Sequence, residues 1–204
     1  MRPLLVTAGA TRNPLDAMRY VSAYSSGATG AWLAAQLEPA DLLGSPEAVL
    51  RAGGGATFGS TRDLMDKMEA WVRAHPGGVV VHAAAVGDYE ALPDAGKIPS
   101  GQDELVVRLR PTPKIIDHVL RWDRTCRLVG FKAAAPGSTP EQVRAVARKQ
   151  IARTSAALVF ANVIGALHTT CQLVEADTAT AYASRDEALR ALAERVRELR
   201  GASS

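Results

Sequence analysis

Short apolar runs alternate with stretches of helical periodicity along almost the whole chain, and this alternation limits the possible folds more than any other feature. Single strands separated by helical patterns of about 10–15 residues are typical of βαβ units, which build a parallel sheet covered by helices. The apolar runs Val79-Val80-Val81 and Leu158-Val159-Phe160 fit strands buried on both faces. We therefore predict an α/β fold, a three-layer Rossmann-like domain with a mostly parallel central sheet and a C-terminal β-hairpin plus helix.

The predicted strands cover residues 3–7, 56–59, 78–84, 104–109, 127–132 and 156–161, and the predicted helices cover residues 28–37, 61–74, 113–122 and 140–153. After Gly165 the pattern changes to a hairpin within residues 170–183, followed by an amphipathic helix at 184–199. Ser60-Thr61 and Ser138-Thr139 are credible helix N-termini, the second with Pro140 in the first turn.

One long segment, residues 85–103, fits neither a strand nor a helix. It holds Asp88, Lys97 and several Pro and Gly residues, and it leaves the expected carboxyl end of a central strand. Ligands of open α/β sheets bind at that edge, and a loop this long is usually a lid, a binding loop or disordered. We expect a flexible flap here.

Composition excludes several classes of protein. The 204 residues, 47% of them hydrophobic, can bury the core of one domain spanning residues 1–204. The net charge is +3, but basic residues are scattered among acids and only 5% of residues are aromatic, which favours a small anionic ligand over nucleic acid. No signal-peptide pattern and no apolar run of roughly 20 residues is present, so we expect a soluble, cytoplasmic protein without a membrane partner. Cys126 and Cys171 lack metal-site or redox spacing and are interpreted as buried thiols in a reducing compartment.

A glycine-containing loop follows the first strand. Leu4-Leu5-Val6 runs into Gly9, and Ser25-Ser26-Gly27 stands directly before an apolar helical run. A strand, a glycine-rich loop and a helix start in this order can bind phosphate through backbone N–H groups and the helix dipole. The pattern is not the dinucleotide GxGxxG, and the serines could equally do no more than cap the helix.

Several motifs occur together in a characteristic order. They are Val6 to Asp16, Arg19-Tyr20-Val21-Ser22 followed by Ser25-Ser26-Gly27, Ala83 to Tyr89, Lys97-Ile98, Pro113 with Ile115, Val129-Gly130-Phe131, and Ala161-Asn162. Taken together, they resemble the phosphopantothenoylcysteine synthetase domain, the second enzyme half of the bacterial bifunctional coenzyme A flavoprotein. The resemblance spans nearly the whole chain. It implies a homodimer that completes its substrate site across a two-fold interface, and no flavin, because the flavin-binding half is absent from this sequence.

The resemblance also implies an activity. The family joins 4′-phosphopantothenate to cysteine through an acyl-nucleotide intermediate, using CTP (or ATP) with Mg²⁺. By this resemblance Asp88 and Lys97 are catalytic: Lys97 clamps the triphosphate, and Asp88 lies near ribose, phosphate or a divalent metal. The implied nucleotide-binding residues are Gly9, Ser25, Ser26, Gly27, His82, Ala83, Ala84, Pro113, Lys114, Ile115, Ile116, Phe131, Lys149 and Arg153, and the implied substrate-binding residues are Ala23, Ala85 and Asn162.

Each assignment has a purely structural alternative. Asp88 could form an Asx turn after a strand, and Lys97 could be a solvated loop lysine. His82 could be a satisfied core histidine, and Phe131 a core aromatic. His75, His118 and His168 have no partner pattern and stay unassigned.

The chain also departs from the family pattern. Ala23 stands where the family has an asparagine linked with turnover of the intermediate, and alanine has no hydrogen-bonding side chain. Ala28-Thr29 replaces Lys-Met, Pro99 and Ser100 replace two flap lysines, Thr112-Pro113-Lys114 replaces Asn-Pro-Asp, and Lys132-Ala133 replaces a small residue and a later acid. These changes favour, as the alternative, a non-catalytic or repurposed homologue that binds a nucleotide or an acyl phosphate. A short-chain NAD(P) oxidoreductase is disfavoured, since no Tyr is followed four residues later by Lys.

Overall fold

The computed structural model describes residues 1–92, 96–101, 103–166 and 171–201. Its first half contains β1 (Leu4–Ala8), β2 (Arg12–Pro14), β3 (Tyr20–Ser22), α1 (Ala28–Gln36), β4 (Asp41–Gly44), α2 (Pro46–Ala52), β5 (Ala56–Thr57), α3 (Thr61–Ala74) and β6 (Val79–His82). The second half contains β7 (Tyr89–Ala91), β8 (Leu109–Pro111), a 3₁₀ turn (Ile115–Asp117), α4 (Val119–Trp122), β9 (Arg127–Ala134), α5 (Pro140–Thr154), β10 (Leu158–Val163), β11 (Cys171–Val174), β12 (Ala179–Tyr182) and α6 (Arg185–Gly201).

Eight strands form the central sheet in the order β12-β11-β10-β9-β6-β1-β4-β5. Six of these strands pair in parallel, namely β5, β4, β1, β6, β9 and β10, and β11 and β12 add an antiparallel extension beside β10. In chain order the parallel part reads 3-2-1-4-5-6, the doubly wound arrangement, whose strand order reverses between β1 and β6. The predicted Rossmann-like class with its C-terminal hairpin and helix is confirmed.

The core lies on both faces of this sheet. Alternate residues of a strand point to opposite faces, so Leu5 joins one cluster and Val6 the other. The Val6 cluster packs against α1 and α6 and includes Phe160, while the Leu5 cluster packs against α3, α4 and α5. Burial on both faces explains the unbroken apolar runs seen in the sequence.

Two small antiparallel ribbons lie outside the central sheet. One pairs β2 with β3, and the other pairs β7 with β8. The strand predicted at 104–109 is wrong, because only Leu109 of that segment is in a strand and β8 pairs with β7, outside the central sheet. Leu105 and Val106 are 44% and 76% exposed, so their apolar side chains are not packed in the core.

Other boundaries also differ from the prediction. The strand predicted at 56–59 shrinks to two residues, and the helix predicted at 113–122 divides into the 3₁₀ turn and α4. The prediction missed β4 and α2, although Ser45 caps α2 and Pro46 occupies its first turn. The hairpin and final helix are confirmed, but residue 170 of the predicted hairpin, His168, and flap residues 93–95 and 102 lie outside the described residues.

The two cysteines are buried, and neither is in a disulfide. Burial raises the pKa of the Cys126 thiol to about 12 and also raises that of Cys171, which keeps both thiols protonated. In the part of the chain that the structure describes, no helix has the length and apolarity needed to span a membrane.

Candidate functional site

The candidate site lies at the carboxyl edge of the sheet, where the strand order reverses between β1 and β6. The backbone N–H of Ala85 donates to Gly9 O at 2.8 Å, and Thr11 N–H donates back to Ala85 O at 3.1 Å. Ser45 N–H, after β4, donates to Ala8 O at 2.9 Å. The loops after three adjacent parallel strands are therefore fastened together, at the position where ligands of such folds bind.

Close packing of glycines brings the start of α1 onto the end of β1. Gly9 has φ +87°, and a Cβ there would overlap the Ser45 side chain. Gly27, the residue before α1, has φ +72°, and its Cβ would lie 3.0 Å from Gly9 N. A Cβ on Gly30 would lie 2.5 Å from Ala8 Cβ. Only glycine allows both the left-handed backbone and this approach.

The exposed N-terminus of α1 can receive an anion. Ser25 Oγ accepts the Gly27 N–H at 3.3 Å, and Ser26 Oγ accepts the Ala28 N–H at 3.4 Å. The first turn of α1 holds no acidic residue that would repel an anion. Free helix N–H groups and the positive end of the helix dipole favour phosphate at such a position.

A cavity of ≈ 400 Å³ opens beside this helix start. The Arg12 guanidinium lies over the Tyr20 ring, 4.9 Å from its centroid, and forms an ion pair with Glu47. The structure thus brings the predicted residues Ala23, Ser25 and Ser26 together. The lining residues are Ala10, Arg12, Tyr20, Ser22, Ala23, Tyr24, Ser25, Ser26, Ser45 and Glu47.

His82 ends the central strand β6 and is 6% exposed. Its Nδ1 lies 2.9 Å from Thr7 Oγ1, which also accepts the Ala84 N–H at 3.1 Å. Burial lowers the pKa of His82 to about 4, so the imidazole is neutral at ordinary pH. The predicted neighbours Ala83 and Ala84 are half-buried at the same edge.

Asp88 and Lys114 form an ion pair at the start of the β7–β8 ribbon. Thr112 holds this pairing together: its N–H donates to Asp88 O at 3.0 Å and its hydroxyl donates to Gly87 O at 2.6 Å. Lys114 is the partner of the Asp88 carboxylate within the described residues, where an Asx turn would use a backbone N–H. Pro113 lies between Thr112 and Lys114 and is half-buried.

The flap is tied to the β2–β3 ribbon through Asp16. The Asp16 carboxylate accepts the Ile98 N–H at 3.0 Å and the Arg19 guanidinium at 2.5 Å, and Arg19 also donates to Ile98 O at 2.7 Å. Ala17 N–H donates to Gly96 O at 3.1 Å. The Arg19 guanidinium, together with backbone N–H groups, holds the pKa of Asp16 well below its usual range.

Lys97 lies between Gly96 and Ile98, the two flap residues that are hydrogen-bonded to the β2–β3 ribbon. Its side chain is exposed, and its ammonium group makes no hydrogen bond or ion pair with any residue that the structure describes. Asp88, by contrast, is engaged by Lys114. Within the part of the chain that the structure describes, the ammonium of Lys97 is therefore open to an anionic ligand.

The remaining predicted residues lie farther along the sheet. Phe131 stacks on Phe160, with ring centroids 5.1 Å apart, on the face covered by α1 and α6. Arg153 forms an ion pair with Asp117 of the 3₁₀ turn, while Lys149 is exposed on α5. Ile115 and Ile116 pack on the opposite face of the sheet, and Asn162 lies on β10, two strands from β6.

Sequence reasoning missed several polar residues that organise this region. Thr7 is the one hydroxyl in the apolar strand β1, and Gln150 occupies the buried face of α5; both are polar residues at positions where the pattern expects an apolar one. A polar residue at such a position indicates a hydrogen-bond partner, because a buried polar group needs one. Asp16 and Arg19, three residues apart, gave a weaker signal.

Within residues 1–92, 96–101, 103–166 and 171–201, no group of three or more His, Cys, Asp or Glu side chains is placed to hold a metal ion. Mg²⁺ often uses one or two carboxylates together with substrate phosphates. The exposed carboxylate of Asp88 fits that use, as one ligand of a magnesium–nucleotide complex.

Residues 1–196 match the family model of the DNA/pantothenate metabolism flavoprotein C-terminal domain, DFP. The chain belongs to the DFP domain family. This DFP domain is 38% identical over 172 residues to the coenzyme A biosynthesis bifunctional protein CoaBC of Thermococcus kodakarensis. That alignment covers 80% of the DFP domain and 41% of CoaBC, so the chain spans about two fifths of this curated relative. The family expected from the motifs is confirmed.

Solved structures show the same fold. A DNA/pantothenate metabolism flavoprotein from Streptococcus pneumoniae superposes with a TM-score of 0.82 at 23% identity, covering 97% of the DFP domain and 99% of that chain. A Cab2 variant in complex with phosphopantothenate-cysteine gives 0.74 at 16% identity, covering 97% and 86%. At these identities the likeness establishes the fold.

Proposed function

We propose that this DFP domain is a nucleotide-dependent ligase of coenzyme A biosynthesis. It activates the carboxylate of 4′-phosphopantothenate with CTP, or ATP, and joins it to cysteine. The glycine-built seat of α1 on β1, with the ≈ 400 Å³ cavity beside it, carries this proposal. Membership of the DFP family, a CoaBC relative, and a structural neighbour bound to phosphopantothenate-cysteine support it.

In the first step a carboxylate oxygen attacks the α-phosphorus of the nucleotide. The bond from the α-phosphorus to the bridging oxygen breaks, and pyrophosphate leaves. Negative charge builds on the leaving group, so positive groups fixed around it stabilise the transition state. The α1 N-terminus, Lys97 and Lys114 supply such groups, while Asp88 would hold a magnesium ion that neutralises phosphate charge.

In the second step the cysteine amine attacks the acyl carbon. The bond from that carbon to the nucleotide oxygen breaks, the nucleoside monophosphate leaves, and the amine gives up a proton to solvent. Ala23, Ala85 and Asn162 are proposed to line the acyl and amine end of the site.

A second candidate function rests on Ala23, which lines the cavity without a hydrogen-bonding side chain. The ion pair of Lys114 with Asp88 adds to this, because it occupies the carboxylate assigned to the metal. A homologue built in this way would bind a nucleotide or an acyl phosphate without turning it over. Tight CTP binding with no pyrophosphate release supports this candidate.

The deciding experiment measures pyrophosphate release and the amide product. The protein is incubated with phosphopantothenate, cysteine, Mg²⁺ and either CTP or ATP, and the product is identified by mass. We expect product with one nucleotide and a large loss in Lys97→Ala. Lys67→Ala is the matched control, since Lys67 lies on α3 and pairs with Asp63. Absence of both pyrophosphate and product refutes the ligase proposal.

We further propose that the protein forms a homodimer through the ribbons. Large apolar side chains are exposed on or beside them, namely Tyr20, Tyr24, Tyr89, Leu92 and Val106. We take these side chains to form one apolar patch, a feature typical of an association surface. Light scattering after gel filtration tests the proposal, and a monomer at micromolar concentration refutes it.

A further inference from the structure

A second cavity, of ≈ 890 Å³, lies at the β5 edge of the central sheet and is called the edge cavity. Its lining is mostly alanine, leucine and glycine, and its charged and ring-bearing residues are Glu38, Asp41, Lys67, Trp71 and His75. Asp41 begins β4, whereas the candidate site lies beyond the end of β4, about 13 Å away at about 3.3 Å per residue. The edge cavity shares no lining residue with the ≈ 400 Å³ cavity beside α1, so it is a separate site.

A short edge strand and a run of three glycines create this space. β5 pairs with residues 43–44 of β4, so among the described strands none covers the outer edge of residues 41–42. A Cβ at Gly53 or Gly54 would meet no atom within 4 Å, so the loop before β5 leaves the space open. Gly55 has φ +130°, and a Cβ there would lie 2.9 Å from the backbone oxygen of residue 42. Only glycine lets the loop approach β4 so closely.

Trp71 lines the edge cavity in a fixed orientation. Its indole N–H donates to Asp41 Oδ2 at 2.7 Å, and the His75 ring stacks on the indole with ring centroids 4.4 Å apart. His75 is held in turn, because its Nδ1 donates to Trp71 O at 2.8 Å. A Cβ at Gly78 would lie 2.9 Å from Trp71 Cη2, so the indole packs directly on the backbone there. A ring that is already ordered loses little conformational entropy when a ligand packs against it.

The charged groups of the lining favour a cation. Lys67 donates to Thr57 O at 2.8 Å and forms an ion pair with Asp63, so its charge is already compensated. Asp41 accepts the indole N–H, which is uncharged, and Glu38 is exposed at the same cavity. No ion pair of the described residues includes either of these two carboxylates. Uncompensated carboxylates beside an aromatic ring and an apolar lining attract an organic cation.

We propose that the edge cavity binds a small organic cation, an amidinium or ammonium group carried on an apolar body. Asp41 binds the charged group, and the apolar body packs against Trp71. The volume of ≈ 890 Å³ falls within the range of roughly 300–1,000 Å³ that small-molecule sites occupy. A nucleotide or a phosphate is disfavoured, because its negative charge would face the two carboxylates. The site is independent of the proposed ligase function, since neither Asp41 nor Trp71 belongs to the candidate site.

Three probes of one shape test the role of charge. Benzamidinium is cationic, benzamide is neutral and benzoate is anionic, and each is titrated into the ¹⁵N-labelled intact chain. The readout is the indole N–H signal of Trp71, one of three tryptophans, which Trp71→Phe identifies by its loss. We expect a saturable shift with benzamidinium, ~5-fold weaker binding of benzamide, and no binding of benzoate.

Variants locate the binding site. Asp41→Asn removes the charge but keeps an oxygen for the indole N–H, so benzamidinium affinity should fall to that of benzamide while benzamide binding stays unchanged. Asp66→Asn is the matched control, because Asp66 is exposed on α3 and does not line the cavity. Ala70→Phe places a ring at an exposed lining position and should weaken the binding of both probes. Melting temperatures verify that each variant is folded.

The results that overturn the proposal are distinct. Equal affinity for the three probes, or an equal loss of benzamidinium affinity in Asp66→Asn and Asp41→Asn, shows that Asp41 does not bind the charge. A Trp71 signal that no probe moves shows that the edge cavity is not a binding site for these molecules. Each of these results leaves the proposed ligase function standing, because pyrophosphate release is measured separately.

Discussion

Protonation of His82 should make the fold unusually sensitive to mild acid. The unfolded chain takes up this proton near pH 6.5, the ordinary value for histidine, whereas the folded chain takes it up near about 4, because burial disfavours the charged ring. Between these values the unfolded chain binds more protons than the folded one. The free energy of unfolding therefore falls as the pH falls through this window.

The magnitude follows from the two pKa values. The gap between 6.5 and about 4, at about 1.36 kcal/mol for each tenfold step in proton affinity, amounts to about 3 kcal/mol. Most of this, about 2.5 kcal/mol, is lost between pH 7.5 and pH 4.5. Since small domains are stable by about 5–15 kcal/mol, one side chain would account for a sizeable fraction.

Urea denaturation at several pH values between 7.5 and 4.5, followed by tryptophan fluorescence, measures the effect. His82→Gln cannot take up the proton, so the stability difference between wild type and variant should shrink by about 2.5 kcal/mol as the pH falls. Thr7→Ser keeps the burial and the hydroxyl, and should follow wild type. Parallel pH curves for wild type and His82→Gln would show that the imidazole is not held neutral, and the reasoning would be wrong.

Three further predictions concern the glycine seat, the ion pair and the flap. Gly9→Ala should lower the free energy of unfolding by about 3 kcal/mol in a denaturant titration. Gly53→Ala, with φ +76° and no atom within 4 Å, should lose only the smaller free energy of placing alanine in a left-handed backbone conformation. Equal losses for the two variants would contradict the steric argument. Lys114→Ala should change stability by less than about 1 kcal/mol, because its partner Asp88 is exposed, yet calorimetry should show weaker CTP binding. Asp16→Asn should release the flap, so limited proteolysis at 96–101 should become faster; an unchanged cleavage rate would contradict the tie.

Much of the fold could be predicted because it depends on burial patterns. Unbroken apolar runs located β6 and β10, and cap residues located α3 and α5. Failures occurred where local pattern and tertiary burial disagree. Leu105 and Val106 have the residue types of a strand but lie exposed, and β5 is a strand of only two exposed residues at the edge of the sheet.

The candidate site could be predicted only in outline. The motifs named Gly9, Ser25 and His82, and the structure places these at the edge where the strand order reverses. They could not reveal that Asp88 faces Lys114 or that Asp16 holds the flap, because both contacts join residues far apart in sequence. The first contact depends on the pairing of β7 with β8, and the second on the placement of the flap against the β2–β3 ribbon, and no local pattern encodes either.

Asn13 of β2 connects the start of α3 with the β7–β8 ribbon. Its Oδ1 accepts the Thr61 N–H at 2.9 Å, at the start of α3, and its Nδ2 donates to Tyr89 O at 3.0 Å. A two-stranded ribbon alone is marginally stable in water, so the order of the β2–β3 and β7–β8 ribbons depends on such hydrogen bonds. A mutation that changes the shape of one ribbon must therefore be accommodated by the other, and we expect the two ribbons to vary together among descendants of this chain.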